Sequence, residues 1–179
     1  HMWTRRQRQM CIRDSLGPEQ IDIPVVIGGG IGHGRQLAAV LGMGADGVLI
    51  GTRVLVAEEV WSHAEVKKQI VNSGAADSTL VMSSFRNTSR VINNEFARAV
   101  QSLELDGIED FDQYWPYVKG ANAFDAYKSG DWNKALLSMG QSAVFADSVQ
   151  PMEQIYDNLI DEAAAALERL RGLRTSKTG

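Results

Sequence analysis

The chain has 179 residues, 44% of them hydrophobic and 22% charged, which is the composition of a globular protein and not of a disordered one. Lys and Arg number 18 against 22 Asp and Glu, a formal net charge of −4, so there is no electrostatic case for nucleic acid or an anionic membrane. No apolar run approaches the ~20 residues of a membrane-spanning helix, and the single Cys11 excludes an internal disulfide framework and a cysteine-based zinc site. A reducing, cytoplasmic setting is the expectation.

Residues 1–16 stand apart. Arg5, Arg6, Arg8 and Arg13 face one acid, Asp14, with no strand or helix periodicity. Without this stretch the chain has 14 basic and 21 acidic residues, a net of −7, so the local basicity is out of character. The 7–15-residue apolar core of a signal peptide is missing. A basic arm, a native surface segment and a leader foreign to the fold are the three readings. The last is preferred, and it takes Cys11 with it.

The elements follow in order. Ile23-Pro24-Val25-Val26-Ile27 is apolar on both faces and ends in glycines, as a buried parallel strand does. Residues 34–43 place Leu37, Ala38, Val40 and Leu41 on one side of a helix. Residues 44–47 make a turn, Val48-Leu49-Ile50 a second buried strand closed by Gly51-Thr52, and residues 53–71 a helix. This is a βαβ unit with parallel strands and its following helix. Beyond it, residues 77–84 read as a short extended segment. Residues 89–105 read as a helix with Val91, Ile92, Phe96, Val100 and Leu103 inward. Residues 106–122 are irregular, acidic and aromatic. Residues 123–129 and 131–139 read as short helices, the second opened by Asp131. The last helix spans 151–171 with Ile155, Leu159, Ile160, Ala163, Leu167 and Leu170 as its stripe, Pro151 in its first turn and Gly172 at its end. The expected organisation is therefore a leader at 1–16, two βα units at 17–74, a helical subdomain or lid at 75–149, a helix at 150–172 and a tail at 173–179.

The glycines of 23–52 carry the chemistry. No frame of Gly28-Gly29-Gly30-Ile31-Gly32-His33-Gly34 gives G-x-G-x-x-G, the second strand ends without an acid for a ribose, and no Gly-Lys-Ser/Thr occurs. Both common nucleotide motifs fail. What remains is two adjacent parallel strands, each ending in glycine. Such loops make either tight turns with close helix–sheet packing or an anion cup of backbone N–H groups at helix N-termini. Two consecutive loops favour the cup, with Thr52 adding a hydroxyl donor. A (β/α)₈ barrel places its usual phosphate site after strands 7 and 8.

The segment resembles the flavin-dependent nitronate monooxygenases, also called 2-nitropropane dioxygenases. The residues that carry the resemblance are Pro24-Val25-Val26, Gly29-Gly30-Ile31, Gly34-Arg35, Leu37-Ala38-Ala39, Gly44-Ala45-Asp46-Gly47-Val48 and Gly51-Thr52-Arg53. Asp77-Ser78-Thr79-Leu80, Arg86-Asn87, Arg90 and Gly140-Gln141-Ser142-Ala143 extend it more weakly. The resemblance implies an α/β fold: the C-terminal portion of a TIM barrel, its last two parallel strands with their helices, then a mainly helical subdomain and a long helix. It implies FMN as cofactor, with Gly29, Gly30, Gly51 and Thr52 holding the phosphate and Ile50 beside them. It implies oxidation of a small-molecule nitronate with oxygen.

The same glycine pair occurs in flavin-dependent enoyl reductases, the alternative activity, and loosely in IMP dehydrogenase barrels. This chain has Gly32-His33 where the family has Ala-Asp, and it lacks the family's A-G-G-H-type motif with the catalytic histidine. A whole barrel needs ~250 residues, so weak or absent activity of the isolated chain is expected. A non-catalytic fragment that self-associates through exposed strand edges is the third reading.

His33, beside the expected phosphate, is read either as a donor or reacting group or as a loop histidine, the latter preferred. The acids Glu104, Asp106, Glu109, Asp110 and Asp112 do not match a calcium loop. His63 has no second His or Cys beside it, so no metal is expected. The aromatics Tyr114, Trp115, Tyr117, Phe124, Tyr127 and Trp132 read as packing first and as a substrate lid second.

Overall fold

The computed structural model describes residues 23–175, so the leader at 1–16, Cys11 and the tail beyond residue 175 lie outside the described residues. The elements in order are β1 (Val26–Gly28), α1 (Gly34–Gly42), β2 (Gly47–Leu49), a 3₁₀ turn (Thr52–Val56), α2 (Ala64–Val71), β3 (Ser78–Val81), β4 (Ser89–Ile92), α3 (Glu95–Leu105), α4 (Trp115–Val118), α5 (Gly120–Ser129) and α6 (Met152–Thr175), with further 3₁₀ turns at Phe111–Gln113, Trp132–Lys134 and Gln141–Phe145. None of these helices is long and apolar enough to cross a membrane. The chain forms two compact units, one holding the residues up to Ile50 and from Glu153, the other Gly51–Met152. This division falls at different places from the boundaries at 74 and 149 read from the sequence.

In the first unit, β1 and β2 pair in parallel, with Val26 opposite Gly47, Ile27 opposite Val48 and Gly28 opposite Leu49. Asp46 sets the register twice over: its carboxylate accepts from the Val25 N–H at 2.8 Å, and its own N–H donates to the Val25 carbonyl at 2.9 Å. On one face Ile27, Val48 and Ile50 pack against Ile31, Val40 and Ala45. On the other, Val26 and Leu49 stay 61% and 69% exposed. The expected burial on both faces is therefore met on one only, because among the described residues this unit supplies a layer to one face.

Helix α1 meets α6 backbone to backbone. A Cβ on Gly34 would lie 2.3 Å from the Leu159 carbonyl oxygen and 2.4 Å from the Ala163 nitrogen. Of the expected α6 stripe, Ile155, Leu159 and Ala163 are buried, while Ile160, Leu167 and Leu170 are exposed.

The second unit departs from the sequence reading in three places. The expected helix over 53–71 is broken. After the 3₁₀ turn the chain extends at Ala57, which bridges Gln150 in parallel. His63 then caps α2, its Nδ1 accepting from the Glu65 N–H. The buried Lys67 amine holds the break, donating to the carbonyls of Ala57 at 2.6 Å and Glu58 at 3.1 Å. Residues 89–92 form not the first turn of a helix but β4, antiparallel to β3. β-branched Val91 and Ile92 suit a pleated, buried strand better than a helix start. Asn94 makes the change of state, capping α3 through the Ala97 N–H while its amide donates to the carbonyls of Trp132 and Ala135. The expected helix 131–139 is one 3₁₀ turn at Trp132–Lys134, with no side-chain cap from Asp131. The chain beyond it runs along β4, the Ile92 N–H donating to the Leu137 carbonyl.

One core joins Val56, Val66 and Ile70 to Leu137, Met139 and Ala143. The other gathers Val81, Val91, Ala97, Val100 and Tyr114. Tyr114 is fully buried, and its hydroxyl donates to the Ile108 carbonyl.

Two glycine substitutions probe the packing. Gly34→Ala forces its methyl into the α6 backbone, which has no rotamer to yield, and is expected to cost about 3 kcal/mol or more. Gly130 ends α5 at φ +87°, with a would-be Cβ 2.5 Å from the His63 Nδ1. Gly130→Ala is therefore expected to cost about 2 kcal/mol, of which His63→Ala recovers the steric share. Urea unfolding of the single and double variants checks both. A third expectation concerns alkali. Burial, and then the Glu104 charge, push the Tyr114 pKa upward. A tyrosine whose folded pKa is raised contributes stability that is complete below the ordinary value near 10 and is lost as pH rises through the raised one. Unfolding midpoints are expected to fall above about pH 10, and Tyr114→Phe to flatten that fall.

Candidate functional site

The first glycine loop begins where β1 ends. Gly29 and Gly30 sit at φ +103° and +75°, a region that L side chains rarely adopt. Both are exposed, and among the described residues a Cβ on either would meet no atom within 4 Å. The need for glycine is conformational. The loop is held from below by one side chain. Gln36 Oε1 accepts from the Gly32 N–H at 2.9 Å and the His33 N–H at 3.1 Å, while Gln36 Nε2 donates to the Gly30 carbonyl at 2.9 Å. Among the described residues, the N–H groups of Gly30 and Ile31 have no acceptor. Ile50, at the end of β2, packs half-buried against the Ile31 core.

The second loop is different in kind. Gly51 has φ −108° and ψ −79°, a negative φ that does not call for glycine, and among the described residues a Cβ there would meet nothing within 4 Å. No packing contact among the described residues explains glycine at this position. What its absent side chain preserves is approach to the backbone. Gly51 stands before the 3₁₀ turn with no side-chain cap, its carbonyl accepting from the N–H groups of Val54 and Leu55. Among the described residues, the N–H groups of Gly51 and Thr52 have no acceptor. The buried Thr52 Oγ1 accepts from the Gly140 N–H at 2.8 Å, which leaves its proton to donate elsewhere. The Gly140-Gln141-Ser142-Ala143 segment is thereby tied to the second loop.

The start of α1 does not serve as the anion end expected of it. Its Gly34 N–H already donates to the Glu162 carboxylate at 2.7 Å. His33 is the N-cap of α1, its Nδ1 accepting from the Arg35 N–H at 3.1 Å and lying 3.1 Å from the same Glu162 oxygen. This puts His33 in the architecture of the helix start. A carboxylate from α6 thus occupies the positive end of α1, and the donors left for an exogenous anion are the loop amides.

The other constellations fall to structural uses. Glu104 accepts from the Ser84 N–H and Asp110 from the Asp112 N–H. Among the described residues, no group of His, Asp and Glu is placed to hold a metal. The aromatics pack on one another: Tyr114 edge-on to Phe85 at 4.9 Å, Tyr117 to Phe96 at 5.1 Å, and Trp61 against Phe124 and Tyr127.

Two residues that matter to the first loop were not singled out from the sequence: Glu162 and Gln36. For Gln36 a signal existed, since it stands three residues after a cap position, the spacing of a capping box with histidine in the place of serine or threonine.

The chain matches the sequence profile of the family described as Nitronate monooxygenase over residues 11–162. It is 32% identical to a probable nitronate monooxygenase of Staphylococcus haemolyticus, over 94% of this chain and 47% of that protein. It is 28% identical to a nitronate monooxygenase of Neurospora crassa, over 89% of this chain and 43% of that protein. Among solved structures it is similar to FabK from Thermotoga maritima, with a TM-score of 0.81 and 30% identity over 89% of this chain and 50% of that one. It is also similar to nitroalkane oxidase from Streptomyces ansochromogenes, with a TM-score of 0.69 and 28% identity over 88% of this chain and 44% of that one. The chain spans about half the length of the proteins it matches. With glycine loops closing a parallel strand pair and a profile match over most of its length, the chain belongs to the nitronate monooxygenase family of oxidoreductases.

Proposed function

We propose that this chain carries the phosphate end of an FMN site in an oxidoreductase of nitronate monooxygenase type, a cytoplasmic enzyme that oxidises small nitronates with oxygen. The observation that carries the proposal is the second loop: among the described residues nothing packs where a Gly51 side chain would stand, and the N–H groups of Gly51 and Thr52 have no acceptor. Neutral N–H donors suit a phosphate monoester dianion and need no lysine. In this reading Gly29, Gly30, Gly51 and Thr52 hold the phosphate, Thr52 through its N–H and its hydroxyl proton, and Ile50 gives the apolar contact beside them. The parallel pair β1–β2 is then the last pair of strands of a (β/α)₈ barrel. The exposed Val26 and Leu49 suit this, since they lie on a face that a barrel fills from its other strands.

When bound, FMN would supply the redox chemistry, taking electrons from the substrate and passing them to oxygen. The part of this chain is to hold and orient the cofactor. The family's histidine motif does not occur in the sequence, so little or no turnover is expected from the chain by itself.

The likeness to FabK supports a second reading, an enoyl reductase drawing electrons from NAD(P)H through the same phosphate site. The exposure of Val26 and Leu49 supports a third, a non-catalytic chain that self-associates through its strand edges.

Titration with FMN, and with riboflavin as the phosphate-free control, tests the proposal by quenching of flavin fluorescence. FMN is expected to bind at least tenfold tighter than riboflavin, with the preference abolished by Gly51→Asp, which fills the open space with a like charge. Equal affinity for the two flavins would sink the phosphate assignment. Bleaching of bound flavin by NAD(P)H under anaerobic conditions would move the activity to the second reading, and a mass that rises with concentration in light scattering would favour the third.

A further inference from the structure

We infer that Gln36 is a positioning residue of the phosphate site and that the backbone N–H of Ile31 is one of the donors it aims; this rests on the phosphate reading above. The observation is the hydrogen bond from Gln36 Nε2 to the Gly30 carbonyl at 2.9 Å. In a trans peptide the C=O and the following N–H point to opposite sides of one plane. Drawing the Gly30 carbonyl toward Gln36 therefore turns the Ile31 N–H the other way, and that N–H has no acceptor among the described residues. A glycine at φ +75° has no side chain to fix this plane, so without a latch the peptide is free to flip.

The latch is anchored at its other end. Gln36 Oε1 accepts from both the Gly32 and the His33 N–H, closing a ring from Gly30 to the first turn of α1. The Glu162 carboxylate fixes the next amide, that of Gly34, from a different helix. The amides of Gly32, His33 and Gly34 are thus consumed by side chains. Those of Gly30 and Ile31 are left for a ligand, and an anion is what a pair of uncommitted N–H groups recognises. The carboxamide suits this task because it donates and accepts at once. A carboxylate would accept twice and release the Gly30 carbonyl, and a methionine of similar shape would do neither.

The test compares the full chain with Gln36→Met, and with Val40→Ala as a variant that loosens the same unit without touching the latch. Two readouts are taken. Amide exchange of the flavin-free chain is expected to show Gly32 and His33 protected in the parent and faster in Gln36→Met by more than in Val40→Ala. Flavin titration is expected to show FMN affinity falling about tenfold in Gln36→Met while riboflavin affinity stays the same, as loss of an aimed hydrogen bond to a charged group predicts. Val40→Ala is expected to leave the ratio of the two affinities unchanged. A parallel fall of both flavins in Gln36→Met, or no fall in FMN, would overturn the inference and leave Gln36 a helix cap. A parent chain that binds FMN no better than riboflavin would overturn the phosphate reading itself and the inference with it, whatever the exchange data show. Unchanged exchange at Gly32 and His33 in Gln36→Met would overturn the latch alone.

Discussion

The contact at Gly34 is the constraint on which the first unit depends. There the start of α1 rests on the backbone of α6 with no room for a methyl group. The approach brings Glu162 within reach of the Gly34 N–H, and it places His33 against the same carboxylate. It fixes the first turn of α1, from which Gln36 reaches back to the glycine loop. Elements 128 residues apart in sequence thereby decide how a five-residue loop presents its amides. A helix N-terminus is an attractive place for a ligand's anion. Here an internal carboxylate occupies it, and the donor role passes to the loop.

A second contrast lies between the two glycine loops. In the first, glycine is demanded by backbone conformation and would be needed with or without a ligand. In the second, no contact among the described residues demands it. The two have the same appearance in sequence and different causes. The stretch that matches the family includes both loops.

Much of this was legible in the sequence, for physical reasons. The strands β1 and β2 and helix α1 lie close to where apolar runs and glycines put them, because short apolar β-branched runs bounded by glycine have few alternatives. The long α6 followed from its uninterrupted periodicity. What was not legible was tertiary. Ser89–Ile92 continues into a strong helical pattern, and only pairing with β3 and the run through Leu137 makes it a strand. The break after Val56 depends on a lysine amine capping carbonyls ten residues away, which no local pattern announces. Residues 131–139 have helical composition but spend it on a 3₁₀ turn and an edge along β4. At the candidate site the glycines could be read directly. Glu162 could not, since its role exists only through a helix crossing, and Gln36 was hidden behind a histidine in the usual place of a hydroxyl.

The bridge between Ala57 and Gln150 has a consequence for how this kind of chain changes over time. Within the second unit it brings the two ends of the segment side by side, reinforced by the Glu58 N–H on the Gln150 carbonyl and the Met152 N–H on the Glu59 carboxylate. A unit whose ends are stapled together behaves as a cassette. A segment with its ends side by side is the kind that tolerates being lengthened, trimmed or exchanged as a block. Diversification in such a protein is expected to concentrate in the block between the staples, while the residues at the staple itself stay constrained by backbone geometry more than by side-chain identity.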